Sequence, residues 1–346
     1  MLPITSVAQV SPMQVRKLRW LVPIMLIAIL VAVAPSLNPY HLRALTMGLL
    51  FGYLAASWNI VGGYAGQMSL GHAMFFGLGS YSVAVLAKTD APLLLALPVA
   101  LALAGLLAWV VAAICFRYSL RGIYFAVGSL LLAEIARIVV VNSDALGRSQ
   151  GLEIPLRPGV LNLGFESNLP FFYLYLAMVL AMVVGCRLLE RSRFGYSMIA
   201  LREQEEAAKA LAIDANQVKR RAFVISAMLT TVGGVAYACM VRFVEPAYDL
   251  SLAITLVMVM GAVLGGRGTV LGPLVGGLVV VLVQEILTTI GSAVGTTSVS
   301  ALAQLIYGLF FVVILLAFPR GIVGEILSRR ANRRAVAGAA IVESTQ

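Results

Sequence analysis

Apolar runs of about 18 residues or more, long enough to cross a bilayer, follow one another from Trp20 to Phe318, and the polar turns between them are too short to form a soluble domain. Stretches such as Leu93 to Cys115 are apolar on every side. A transmembrane barrel strand would instead alternate apolar and polar positions over about ten residues, so the barrel is excluded. The pattern predicts an all-α membrane protein, a polytopic helical bundle of about ten transmembrane helices, with spans beginning near residues 20, 43, 68, 92, 122, 169, 222, 250, 271 and 301. The transmembrane portion is 20–318, flanked by segments 1–19 and 319–346. Two longer polar stretches interrupt it. Segment 142–168, with Gly147, Gly151, Pro155, Pro158, Gly159 and Gly164, reads as an irregular loop carrying at most a short helix on the membrane surface. Segment 190–221 is far richer in charge.

Basic residues set the expected orientation. With a cytoplasmic N-terminus, 19 of the 25 Lys and Arg fall on the inner side: Arg16, Lys17 and Arg19, then Arg117 and Arg121, the group from Arg187 to Arg221, Arg267, and Arg320 to Arg334. Both termini are therefore expected in the cytoplasm, with 142–168 outside and 190–221 inside. Ala32-Val33-Ala34 gives the first apolar run the look of a signal peptide, but with nine more spans following it reads as an uncleaved anchor.

Composition narrows the function. The chain is 61% apolar and 12% charged, where a soluble domain carries about half and about a quarter, so an ordinary cytosolic enzyme is excluded. The net charge of +10 sits between spans and at the two ends, which makes it a topology signal and argues against nucleic acid as a partner. Cys115, Cys186 and Cys239 lie far apart in apolar runs and read as packing residues, and with only His41 and His72 there is no material for a metal site. No nucleophile elbow or zinc-binding His-Glu-x-x-His string is present, so no catalytic residues are assigned.

Three segments carry candidate chemistry. In the charged segment, Ala200 to Ile213 is built of strong helix formers, and Asp214 with Gln217 resembles a capping box that starts the next membrane helix. Ala207, Ala208 and Ala212 permit close approach of another protein while Glu205 and Glu206 offer carboxylates to its basic groups; an amphipathic stretch lying on lipid fits the same composition. In the second segment, from Gly62-Gly63-Tyr64-Ala65-Gly66-Gln67-Met68-Ser69-Leu70-Gly71-His72 onward, glycines break a membrane helix, which makes Tyr64, Gly66, Gln67, Ser69, Gly71 and His72 candidate groups of a translocation pathway. A tight interhelical turn with packing glycines is the alternative, and for His72 a hydrogen-bonded packing role fits best. In the third, Gly265-Gly266-Arg267-Gly268-Thr269-Val270-Leu271-Gly272-Pro273 places Thr269 to cap a helix and Pro273 in its first turn. It lacks the Gly-Lys-Ser/Thr of a phosphate loop, so the chain is not expected to hydrolyse ATP. Among ionisable residues inside spans, Glu134 and Arg137 stand three apart on one helical face, while Glu285 has no such neighbour. A proton-coupled secondary transporter would use residues of this kind; polar contacts between helices are the plainer account.

Glu206-Ala207-Ala208 followed by Leu211 and Ile213 resembles the cytoplasmic coupling loop of ABC importer permeases. The wider Arg-Phe-Gly, Ala-Leu-Arg-Glu-Gln-Glu and Asp-Ala-Asn-Gln-Val-Lys strings, with both glycine segments, resemble the branched-chain amino acid permeases, in particular their LivM-type subunit, over roughly Arg43 to Arg320. Ala212 stands where that loop usually has glycine. The resemblance implies an importer permease of the bacterial cytoplasmic (inner) membrane that translocates leucine, isoleucine or valine. It implies partners: a second permease subunit, two cytoplasmic ATPase subunits that use ATP and magnesium, an extracytoplasmic substrate-binding protein, and no cofactor in this chain. It further implies that Arg202, Glu203, Glu205, Glu206, Ala207, Ala208, Ala212 and Ile213 couple to the ATPases. Permeases for urea or short amides share the glycine signatures and form the alternative within the family.

Overall fold

The computed structural model describes residues 31–293 except 90, 119 and 121, and beyond them only residues 308, 309, 313, 321 and 325. The spans expected from residues 20 and 301, segment 1–19 and nearly all of 319–346 lie outside the described residues. The other eight expected spans each have a helix. Seven are long and apolar enough to cross a membrane: Pro39–Tyr64, Leu93–Arg117, Ile123–Val141, Leu169–Glu190, Ala215–Val241, Pro246–Gly265 and Gly272–Thr289. The eighth, His72–Leu86, has 15 residues and rises about 22 Å, short of a full hydrocarbon core. The chain is an all-α, multi-pass membrane protein.

The helices are α1 (Pro39–Asn59), α2 (His72–Leu86), α3 (Ala96–Arg117), α4 (Ile123–Val141), α5 (Leu169–Glu190), α6 (Arg193–Glu203), α7 (Glu205–Ala210), α8 (Ala215–Val241), α9 (Pro246–Asp249), α10 (Leu252–Gly265) and α11 (Gly272–Ala293). Their starts follow local chemistry. The Asn38 side chain caps α1 ahead of Pro39, Ser192 accepts from Gly195 N to start α6, and Asp214 accepts from Gln217 N at 3.0 Å to start α8. Early capping by Ser192 extends the helix of the charged segment back from the expected Ala200, and Gln204, in an extended conformation, divides it into α6 and α7.

Two helices hold the bundle together. α1 packs against α5, α8, α10 and α11, and α8 packs against α1, α2 and α3, so the wide core runs between them with Trp58, Phe76, Phe172 and Tyr175 fully buried. Contact between α1, α10 and α11 is by glycine. A Cβ on Gly277 would lie 2.7 Å from the Gly52 Cα, and one on Gly261 would lie 2.8 Å from the Gly277 Cα. Close backbone approach of this kind is how helices gain packing energy where lipid is as apolar as they are. Among the described residues, α4 is the least enclosed span.

Segment 142–168 holds no surface helix. It forms short 3-10 turns at Asp144–Leu146, Arg148–Gln150 and Val160–Asn162, and a strand, β1 (Leu152–Glu153), paired antiparallel with β2 (Phe243–Val244) after α8. Its glycines and prolines deny it a longer helix, and backbone pairing ties it to the end of the bundle remote from α6 and α7.

Candidate functional site

The first glycine segment breaks the membrane helix. α1 widens into a π turn over Ile60–Tyr64, and residues 65–71 have no helical structure before α2 starts at His72. Backbone freed from a helix at this depth has to be satisfied within the protein. Here Gln67 N donates to Val61 O at 2.9 Å, the Trp58 indole donates to Ser69 O at 2.8 Å, Leu70 N donates to Ser129 Oγ at 3.0 Å, and Ala73 N donates to Thr255 Oγ1 at 2.9 Å. The second glycine segment turns between α10 and α11. Thr269 Oγ1 donates to Gly266 O at 2.8 Å and accepts from Gly272 N at 3.1 Å, capping α11 with Pro273 in its first turn.

Asn59 joins the two turns. Its side-chain oxygen accepts from Gly268 N at 2.9 Å and its amide donates to Thr269 O at 3.1 Å. Arg202, at the end of α6, completes the junction from the charged segment: its guanidinium donates to Gly63 O at 2.9 Å and to the Glu203 carboxylate at 2.6 Å. It lies so close over the second turn that a Cβ on Gly268, where φ is +72°, would stand 2.1 Å from its Nη1. Three segments that were separate in sequence therefore meet at Asn59, Gly63, Gly268 and Arg202. Packing extends the contact, since Tyr64 and Ala65 share one apolar cluster with Met198, Leu201, Ala208, Ala215, Val218 and Ala222.

The charged segment has an inner and an outer face. Ala208 is buried in that cluster and Ile213 packs against it, so the small side chain of Ala208 packs inward. Glu205 also turns inward, pairing at 2.7 Å with Lys219, whose side chain is 3% exposed. Outward stand Glu203, Glu206, Ala207, Leu211 and Ala212. Ala212 has φ +59°, which explains why a glycine suits this position.

The pathway candidates do not share one surface. Ser69 and His72 are fully buried, and the His72 ring bonds Ser69 Oγ at 3.0 Å and Ser226 Oγ at 2.8 Å. Gly71 is buried too, against the Ser129 backbone. Tyr64 donates to Glu190 Oε1 at 3.0 Å at the end of α5. Gln67 is buried with its Oε1 unpartnered, and Gly66 is exposed beside Arg202. Glu134 and Arg137 form an ion pair on α4, both partly exposed, and Glu285 is half-buried on α11 without an ion-pair partner among the described residues. Sequence reasoning missed Asn59, Ser129, Ser226 and Thr255; a lone Asn within an apolar run was the signal available for the first.

A family model described as the permease component of branched-chain amino acid transport systems matches residues 40–316. The chain belongs to this family. Among curated relatives, it is 27% identical over 271 residues to the high-affinity branched-chain amino acid transport system permease protein LivM of Escherichia coli (strain K12), covering 70% of this chain and 62% of that protein. It is 26% identical over 258 residues to the permease protein BraD of Pseudomonas aeruginosa, covering 68% of this chain and 81% of BraD. A shorter match, 30% over 122 residues, covers 34% of this chain and 35% of the autoinducer 2 import system permease protein LsrC of Klebsiella pneumoniae. This chain thus spans about three fifths of the length of LivM. No solved structure matches. The matched region contains both glycine turns, Asn59 and Arg202.

Proposed function

We propose that the chain is the membrane-spanning permease subunit of an ATP-driven importer for leucine, isoleucine and valine, receiving substrate from an extracytoplasmic binding protein and working with a second permease and two cytoplasmic ATPase subunits. Family membership supports the transport role. The observation that carries the coupling is the Arg202 junction: a cytoplasmic helix pair with an outward acidic face is hydrogen-bonded to the break in a membrane helix. A displacement of α6 and α7 by a partner reaches Gly63 and the α10–α11 turn through one guanidinium. ATP and magnesium act in the partners, and this chain's contribution is to transmit the movement and to alternate access.

Purification of the tagged chain from its native membrane in mild detergent tests the assembly, with two ATPases and a second permease expected to copurify. Uptake in vesicles tests the energy source and the substrate. Leucine uptake that survives collapse of the proton gradient with ATP maintained is the expected result, with leucine and not urea competing. A chain that purifies alone and stops transporting when the gradient collapses is a secondary carrier, with Glu285 as its first candidate residue.

A further inference from the structure

Where α3, α6 and α8 meet, a cavity of about 440 Å³ opens beside Trp109, within the range of about 300–1,000 Å³ common for ligand sites. α8 supplies most of its wall. Gln217, Arg220, Arg221, Val224 and Ile225 line it, and their spacing of three, one, three and one puts them on one face of that helix. The face changes character along the axis. Its first part is polar and basic and its next turn is aliphatic, because the apolar run of this span begins at Ala222. The remaining lining is aromatic: Trp109 of α3, 51% exposed, and Phe194 of α6.

Two of the three cations in this stretch are uncompensated. Lys219 turns inward to Glu205 at 2.7 Å. The Arg220 guanidinium lies over the Trp109 ring, 5.8 Å from its centroid, and neither Arg220 nor Arg221 pairs with a carboxylate among the described residues. α8 has no Asp or Glu, and Asp214 ahead of it is engaged as the cap on Gln217 N. A guanidinium held against an indole keeps N–H donors for an anion, and its fork matches phosphate. The position selects the source of that anion. Arginines at the polar edge of a span, an exposed tryptophan beside them and an aliphatic wall one turn further in match a phospholipid, headgroup at the edge and acyl chain inward. A soluble phosphate or an acidic peptide would leave the aliphatic half unused. Leu106 on α3, one turn from Trp109 and 61% exposed, extends the apolar track. We propose that this cavity binds an anionic phospholipid such as phosphatidylglycerol, its phosphate diester held by Arg220 and Arg221, its headgroup by Gln217, and one acyl chain lying along Val224, Ile225 and Leu106. A lipid so held bridges α3, α6 and α8 at the foot of the charged segment. The inference requires only a chain that crosses a bilayer and is independent of what is transported.

The test uses the full chain, purified with its copurifying subunits into phosphatidylcholine nanodiscs that contain a small, varied fraction of chain-brominated phosphatidylglycerol or chain-brominated phosphatidylcholine. Bromine quenches tryptophan on contact, and subtracting a Trp109→Phe counterpart of each preparation isolates the Trp109 signal from the chain's other two tryptophans. Half-quenching by phosphatidylglycerol is expected at a mole fraction roughly tenfold lower than by phosphatidylcholine. Arg221→Gln should weaken this preference and Arg220→Gln with Arg221→Gln should abolish it, whereas Arg220→Lys should retain part of it. Because Arg221 is exposed and forms no ion pair with a described residue, Arg221→Gln keeps the test decisive if the double variant fails to fold. Arg117→Gln should leave the preference unchanged, since Arg117 is exposed at the end of α3 and does not line the cavity. Equal quenching by the two lipids overturns the site. So does a preference that Arg117→Gln lowers as much as Arg221→Gln does, which leaves only general attraction to a basic surface. Inorganic phosphate that restores the Trp109 emission overturns the lipid and makes a soluble phosphate the ligand. A preference that emerges only after the copurifying subunits are stripped away also overturns it, and assigns the cavity to an acidic segment of a partner.

Discussion

At the scale of single residues, Arg202 illustrates what guanidinium geometry allows. One side chain holds Glu203 with Nε and Nη2 and still presents Nη1 to Gly63 O. Lysine keeps the charge but has no such fork. Arg202→Lys is therefore expected to leave membrane insertion and ATP hydrolysis intact while leucine uptake falls roughly tenfold, the size of one lost hydrogen bond to a charged group. Uptake and hydrolysis measured on the same vesicles check this, and a proportional loss of both would remove Arg202 from transmission. Ala212 gives a prediction of opposite sign. Its φ of +59° strains an alanine, and its exposed side chain contributes no packing. Ala212→Gly relieves that strain against a smaller loss of unfolded-state restriction, a net gain of about 0.5–1 kcal/mol. A higher melting temperature of the purified chain is expected, and no change or a decrease would mean that the turn does not limit stability. The sequence showed alanine in a glycine position; only the backbone dihedral shows why glycine belongs there.

At the scale of elements, hydropathy located eight helices, seven of them to within about four residues and α8 seven residues late, because a span must be long and apolar whatever its neighbours are. It failed where a helix is set by something other than lipid. α2 is short because its start is delayed to His72 by the irregular, glycine-bearing stretch 65–71, and α6 and α7 divide because Gln204 adopts an extended conformation that propensity does not foresee. α4 raises the question of charge in a bilayer. Glu134 and Arg137 lie in the second half of this span, with side chains 46% and 36% exposed, and they are bonded to each other. An unpaired charge costs about 2.5–3.5 kcal/mol at the centre of a span on the insertion scale, and less toward its end. Glu134→Gln leaves Arg137 uncompensated and should lower the amount of chain recovered from membranes, whereas the double replacement Glu134→Gln with Arg137→Gln should recover most of it. If the single and double variants accumulate equally, the pair is not what makes these residues tolerable in the span.

At the scale of the whole molecule, hydropathy says little about which helices touch, because nearly every face of every span is apolar. The pairing is set instead by small residues that let α1, α10 and α11 meet backbone to backbone, and by a few side chains that reach across the fold. Both glycine segments and the charged segment were legible in the sequence as separate features, but their convergence was not, since Asn59 stands about 210 positions from Gly268 and Thr269. This makes Asn59 the residue on which the shape of the junction depends. It supplies an acceptor to one peptide and a donor to the next, so it fixes the second turn in both position and orientation. Asn59→Ala orphans Gly268 N and Thr269 O in a partly buried setting at a cost of about 2–4 kcal/mol, two unsatisfied groups at about 1–2 each. Asn59→Asp retains the acceptor for Gly268 N but sets a buried carboxylate oxygen against Thr269 O in place of the donor, so its melting temperature should fall below that of Asn59→Ala. Arg202 depends on the same turn, so under the proposed importer function leucine uptake should fall in that same order. If Asn59→Asp melts and transports like wild type, the donor to Thr269 is dispensable and the second turn is held by its own glycines and Thr269.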